Sequence, residues 1–228
     1  MGRRQEHALV LRELPPAAWP AHLLAGSGLP GPRANLELAQ AAADVAAPET
    51  IDALLGGDEE YLVLCGVIAL GRLLAEDAPG AADRLRSYAA DGRWRVREGV
   101  AMALQRLGDA DPPRLFGLVR DWAGDPHPLV QRAAVAGLCE PRLLKDPKAA
   151  AEAVAACAAV TGAFAARPAA TRRDEDVRAL RKALGYCWSV AVAADRAAGL
   201  PVFERYAASA DPDIAWIVRE NRGKARMR

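Results

Sequence analysis

Aromatic residues are scarce in this chain, at 5% of its 228 positions, and no long run alternates β-branched with polar residues. Without such alternation a β-sheet is not expected. Histidine is rarer still: His7, His22 and His127 stand far apart. No H-E-x-x-H, G-x-S-x-G, P-loop or glycine-rich dinucleotide fingerprint occurs, so neither a metal nor a cofactor is expected. The four cysteines, Cys65, Cys139, Cys157 and Cys187, form no C-x-x-C pair, and each sits in an apolar run. They read as buried free thiols rather than zinc ligands or disulfides. A dominant charge is also missing: 30 Lys and Arg face 29 Asp and Glu, a net of +1. No stretch approaches a membrane span, and the N-terminal apolar run Ala8 to Leu11 is too short for a signal peptide. A cytoplasmic location is the expectation.

What is present is alanine and aliphatic residues, within a hydrophobic share of 52%. Alanine is the best helix former, and small side chains let helices pack closely. Turn signals cut the chain into blocks of helix length: Ser27 to Pro32, Gly56-Gly57, Pro79-Gly80, Asp91-Gly92, Pro112-Pro113, Asp125-Pro126 and Asp211-Pro212. An Asp or Asp-Pro often precedes a block, where a helix cap and a first-turn proline belong. The charge is uneven. Residues 1–110 hold 11 cations and 15 carboxylates, and residues 111–228 hold 19 and 14. Arg219, Arg222, Lys224, Arg226 and Arg228 crowd the C-terminus, either as a solvated helix end or as a contact for phosphate or an acidic partner.

An internal repeat organises these blocks. Leu62 to Leu70, Val96 to Leu104 and Val130 to Leu138 align at a spacing of 34 residues. Aliphatic residues hold the outer columns, and small or aliphatic ones hold the middle. Each copy follows a loop carrying Asp: Asp58, Asp91 and Asp125. Weaker copies begin at Val177 and Ile214. The spacing from the third copy to the fourth is 47 residues, with the excess in the Ala-rich stretch and loop of 148–173. Partner helices are predicted over 79–90, 112–123, 148–166 and 197–208. A helix pair cannot bury its apolar face alone, so repeated pairs imply a stack sharing one core. The fold class is therefore all-α, an α-solenoid with an armadillo-type superhelix. One domain is expected over 1–228. Residues 1–57 supply capping helices, including 17–24 and 34–46, and 58–228 about five pairs.

The V-R/Q-x-x-[AV]-x-x-[AG]-L pattern after an Asp-bearing loop resembles HEAT and PBS-lyase-type repeats from about residue 58 onward. HEAT proteins are mostly interaction scaffolds whose second helices line a concave surface. Two segments are similar to those of bacterial DNA-alkylation-repair proteins built from HEAT-like repeats. Val130 to Ala134 leading into Cys139-Glu140-Pro141-Arg142-Leu143 is similar to their V-R-R…E-G-x-R-P-R-L-P-W segment. Arg181-Lys182-Ala183-Leu184-Gly185-Tyr186 is similar to the R-K-A-I-G-W block of the alkylpurine glycosylases. That likeness implies a cleft holding damaged duplex DNA, with aromatics and a carboxylate facing the departing base. The chain departs from it at Ala136, Leu144 and Lys145 and lacks W-D-x-V-D. Trp94 with Glu98, four residues on, is its nearest counterpart, and Tyr186 or Trp188 stands for the block's aromatic.

The expected function is a non-catalytic scaffold binding a protein partner on its concave face. The alternative is a DNA-binding relative of the glycosylases acting on damaged purines, with Trp94, Glu98 and Tyr186 in its site. Arg97, Arg132, Arg178, Arg181 and Lys182 are the binding candidates. Those from successive second helices would form a basic ladder at about 10 Å spacing, suited to a phosphate backbone or an acidic peptide. Trp94 reads either as a docking aromatic or as packing between repeats, with Arg97 and Glu98 paired to neighbouring turns. Trp216 is expected to seal the end of the core, and Asn221 to lie on the exposed face of the last helix.

Overall fold

Short polar caps and prolines set where the helices begin. The Asn35 side chain accepts from the Leu38 amide at 3.1 Å, Asp111 from Arg114 at 3.1 Å, Asp146 from Lys148 at 3.0 Å and Asp195 from Ala198 at 3.0 Å. Each bond satisfies an amide that the first helical turn leaves without a partner. Pro48, Pro112, Pro128, Pro147 and Pro212 occupy first-turn positions that need no amide donor. The computed structural model describes residues 2–228, which hold thirteen α-helices, four short 3-10 turns and no strand. The chain divides into two compact units, residues 1–107 and 108–228.

The first unit carries α1 (Arg3–Glu13), α2 (Trp19–Ala25), α3 (Leu36–Val45), α4 (Pro48–Leu55), α5 (Glu60–Ala75), α6 (Ala81–Ala89) and the body of α7 (Trp94–Ala110). Helix α1 packs on α3, and α3 packs on α5. Helix α5 is buried almost all round, under α2, α3, α4 and α6. On its remaining side α7 comes so near that a Cβ on Gly71 would lie 2.5 Å from the Ala103 carbonyl oxygen. Helices α1 and α4 were not anticipated. Of α1 only Ala8 and Leu11 are buried, so its apolar signal is faint. A bidentate pair helps to hold it, Arg4 Nε and Nη2 on the Asp44 carboxylate at 2.7 and 2.6 Å.

The second unit carries α8 (Pro112–Ala123), α9 (Pro128–Leu138), α10 (Pro147–Ala165), α11 (Glu175–Ala194), α12 (Arg196–Glu204) and α13 (Pro212–Arg222). Two layers are plain: α9, α11 and α13 pack in sequence, and α8, α10 and α12 pack in sequence behind them. Within each unit, successive helix pairs thus stack in the manner of an α-solenoid. The repeat is visible in burial. Its first column (Leu62, Val96, Val130, Val177, Ile214), fourth (Cys65, Gly99, Ala133, Leu180, Ile217) and eighth (Ala69, Ala103, Gly137, Leu184, Asn221) are buried in every copy.

Asn221 therefore corrects the expectation of an exposed face. It donates to the Leu184 and Ile217 carbonyls at 2.9 and 2.8 Å and accepts from the Ser189 amide at 2.8 Å. Full hydrogen bonding is what lets a polar side chain occupy a core column. A second correction concerns α10, which by length and composition is apolar enough to cross a membrane. It packs on α8, α9, α11 and α12, and about half of its apolar window is buried. All four cysteines are free and buried, with Cys139 and Cys157 Sγ 3.7 Å apart. Trp188 fills the centre of this unit, its indole NH donating to Thr161 Oγ1 at 2.9 Å and its ring meeting Phe203 and Tyr206.

Backbone crowding at Gly71 predicts an inversion of helix propensity. Gly71→Ala adds a helix-favouring methyl but is expected to destabilise by about 1–3 kcal/mol, because the neighbour is backbone and cannot step aside. Gly117→Ala, in α8 with open space around it, is expected to stabilise by about 0.5–1 kcal/mol. Urea unfolding followed by far-ultraviolet circular dichroism checks both signs.

Candidate functional site

Helix α11 shows solvent one narrow stripe. Glu175, Arg178, Lys182 and Tyr186 are exposed at spacings of three and four, while Val177, Leu180, Leu184, Cys187 and Trp188 are buried. Arg132 lies half-buried on α9, in the same layer. Beside the stripe opens a cleft of about 710 Å³, bordered by Arg172, Arg173, Arg178, Arg181, Asp211 and Asp213.

Two of the four guanidinium groups are fixed. Arg172 has a side chain only 12% exposed and is paired with Asp211, with Asp213 at 3.7 Å. It donates to the Ala165 and Arg167 carbonyls, and its guanidinium lies 5.3 Å from the Phe164 ring centre. Arg181 pairs with Asp213 and stacks over Trp216 at 4.6 Å. Trp216 in turn lies against Gly185, where a Cβ would sit 2.9 Å from its ring. Burial works to raise the Asp211 carboxyl, but donation from Arg172 and from the Asp213 and Ile214 amides outweighs it and holds the group below the usual carboxylate range. No carboxylate pairs with Arg173 or Arg178 among the described residues, and both are exposed.

At the far end of the stripe Tyr186 is 45% exposed. The Arg226 guanidinium covers its ring at 4.9 Å and donates to its hydroxyl at 3.3 Å. The basic C-terminal segment packs there: Met227 is buried, and its carbonyl accepts from Arg196 at 3.1 Å. Arg222 is spent on an ion pair with Glu204.

The remaining candidates belong to the first unit. Trp94 opens α7 and is 54% exposed, so it does not pack between repeats. Arg95 stacks on it at 4.6 Å while pairing with Glu60 at 3.0 Å. Arg97 is occupied locally, donating to the Asp91 and Gly92 carbonyls at 2.6 and 3.0 Å. Glu98 is half-buried one turn further along α7. Next to Arg95 is a cleft of about 570 Å³ bordered by Leu24, Leu29, Pro30, Glu59, Glu60 and Tyr61. Trp94, Arg97 and Glu98 thus lie on one unit, and Arg132, Arg178, Arg181, Lys182 and Tyr186 on the other.

Arg178 and Arg181 border this cleft together, and its other walls were missed. Arg172 and Arg173 end a loop read merely as irregular, Asp211 was read only as part of the Asp211-Pro212 turn, and Asp213 was given no role. The Arg172–Asp211 pair spans 39 residues, a separation at which no local pattern links the partners. No group of three or more His, Cys, Asp or Glu side chains among the described residues is arranged to hold a metal ion.

No protein-family model and no curated protein matches the sequence. Among solved structures the chain is similar to two engineered proteins. One is 15% identical with a TM-score of 0.38, over 97% of both chains. The other is 16% identical with a TM-score of 0.37, over 97% of this chain and 95% of that one. It is also similar to a designed armadillo repeat protein, at 14% identity and a TM-score of 0.31, over 87% of this chain and 97% of that one.

The depressed Asp211 carboxyl predicts acid lability. A group with a lowered folded pKa contributes stability above its unfolded value of about 4, and that contribution is lost as pH falls through the folded value. Asp211→Asn retains a capping side chain but not the charge, so it is expected to cost about 1 kcal/mol at neutral pH, a cost that shrinks progressively as pH falls below about 4. Thermal melts of both proteins between about pH 7 and pH 3 check this. A cost that is independent of pH would assign the effect to packing instead.

Proposed function

We propose that the chain is a non-catalytic scaffold of HEAT-type helix pairs that binds an acidic segment of a protein partner on the second-helix face of residues 108–228. The observation that carries this is the cationic surface left over after internal pairing. Arg173, Arg178 and Lys182 are exposed, adjoin one cleft and its flanking stripe, and have no carboxylate partner among the described residues. Three such cations suit one extended acidic segment. A duplex held chiefly through its backbone needs about six or more phosphate contacts.

A second reading is DNA binding in the manner of the alkylation-repair glycosylases, acting on damaged purines. It rests on the exposed Trp94, with Glu98 one turn along α7. In that reading Glu98→Gln abolishes release of an alkylated purine.

Fluorescence anisotropy of a labelled acidic peptide and of a labelled DNA duplex, at low and near-physiological salt, tests both. The expected result is saturable peptide binding that weakens with salt and drops by about tenfold in the Arg178→Glu, Lys182→Glu double variant. Duplex binding with a log–log salt slope of about −5 or steeper would replace the protein-partner reading with the DNA one. Binding of neither probe at low salt would remove both.

A further inference from the structure

The chemistry of the Arg172–Arg181 cleft defines its ligand more narrowly, given the partner-binding reading above. Four guanidinium groups border it against two carboxylates, Asp211 and Asp213. Two positive charges therefore remain after internal pairing. The carboxylates are engaged by the two buried or stacked arginines, Arg172 and Arg181, which they hold in place. The two uncompensated arginines, Arg173 and Arg178, stand exposed at the border. Asp174 and Glu175 open the same turn but lie outside the cleft lining, and Asp176 faces His127 at 4.0 Å.

A side-chain carboxylate carries one charge and offers two oxygens. It answers one guanidinium and leaves the second unmatched. A phosphate monoester carries about −1.5 to −2 charges at pH 7 and three terminal oxygens, enough for two guanidinium groups at once. Arg172 and Arg181 are already immobilised by rings, carbonyls and carboxylates, so a ligand entering the cleft orders only Arg173 and Arg178. We infer that the cleft bordered by Arg172, Arg173, Arg178 and Arg181 is a recognition site for a phosphorylated side chain of the partner protein.

The test uses the full chain and one short labelled Gly/Ala-rich peptide in three forms, with Ser, Glu or phosphoserine at its centre, together with a longer acidic peptide. Anisotropy is expected to give about tenfold tighter binding for phosphoserine than for Glu at about pH 7.5, a gap that closes at about pH 5.5 as the phosphate becomes a monoanion. Arg173→Ala with Arg178→Ala is expected to abolish the gap while leaving the melting curve unchanged, since both side chains are exposed. Inorganic phosphate is expected to compete only weakly. Equal affinity for Glu and phosphoserine at both pH values, with the long acidic peptide still bound, would overturn the phosphate assignment alone. Loss of binding by every peptide would overturn the partner-binding reading with it. Competition by inorganic phosphate as strong as that of the phosphopeptide would make the cleft a free-phosphate site and overturn recognition of a modified protein.

Discussion

Between α5 and α7 the backbone of Ala103 approaches Gly71 so closely that a single added carbon has no room. The same helix pair meets again where a Cβ on Gly99 would lie 2.9 Å from Leu64 Cδ1. In the second unit Gly185 gives its space to the Trp216 ring. These approaches set the helix spacing, and much else follows from them. Close backbones require small residues in fixed columns, which is why the chain is rich in alanine and poor in aromatics. Alanine favours the helix while adding little side-chain volume. Dispersion between closely packed helices then replaces the bulk that large side chains would supply. The consequence for function is geometric. Helices packed so tightly on several sides leave solvent only a narrow stripe, as on α11, and the loops at the helix ends.

Much of this was legible in the sequence. The columns at Leu62, Val96, Val130, Val177 and Ile214 announce buried faces because aliphatic residues recur there at helical spacing. The Asp-Pro turns mark starts because few other residue pairs suit a cap and a first turn together. What escaped has physical reasons. Helix α1 buries little and is helped onto α3 by an ion pair between Arg4 and Asp44, a tie with no sequence signature. Asn221 occupies a core column through three hydrogen bonds to α11 and its own helix, and polarity alone suggested a surface position. Trp94 is an apolar residue left in solvent, where packing was the simpler expectation. The cleft was half legible. Arg178 and Arg181 lie on a recognisable helix, but Arg172 and Asp211 meet only because α11 and α13 are neighbours.

The arginines divide into two kinds, those spent on internal pairs and those left exposed without a carboxylate partner. Residues 1–107 hold 11 cations and 14 carboxylates, and residues 108–228 hold 19 and 15. Many of these charges are spent locally. Arg93 closes the turn at Asp91 and reaches the Asp58 carbonyl of the preceding loop. Arg106 binds Gln40 and Asp44, and Arg142 binds Asp109. Removing such an arginine leaves a carboxylate or carbonyl without its donor, so its first effect is on the fold. An exposed arginine with no partner contributes little to folding.

Arg172 and Arg181 are of the first kind. They tie α11, α13 and the loop before α11 together, and they also form the inner wall of the cleft. A ligand meeting that wall encounters charges whose positions the fold has already set. Their conformational entropy was lost on folding, which lowers the cost of binding. The same arrangement limits what the wall contributes, because Asp211 and Asp213 already neutralise it. On the proposed reading, affinity depends on the outer pair, Arg173 and Arg178, and discrimination on whether a ligand spans from that pair to the fixed one. On the proposed partner-binding reading, recognition is confined to places where a loop and a helix stripe jointly leave charge unmatched. The cleft beside α11 is such a place.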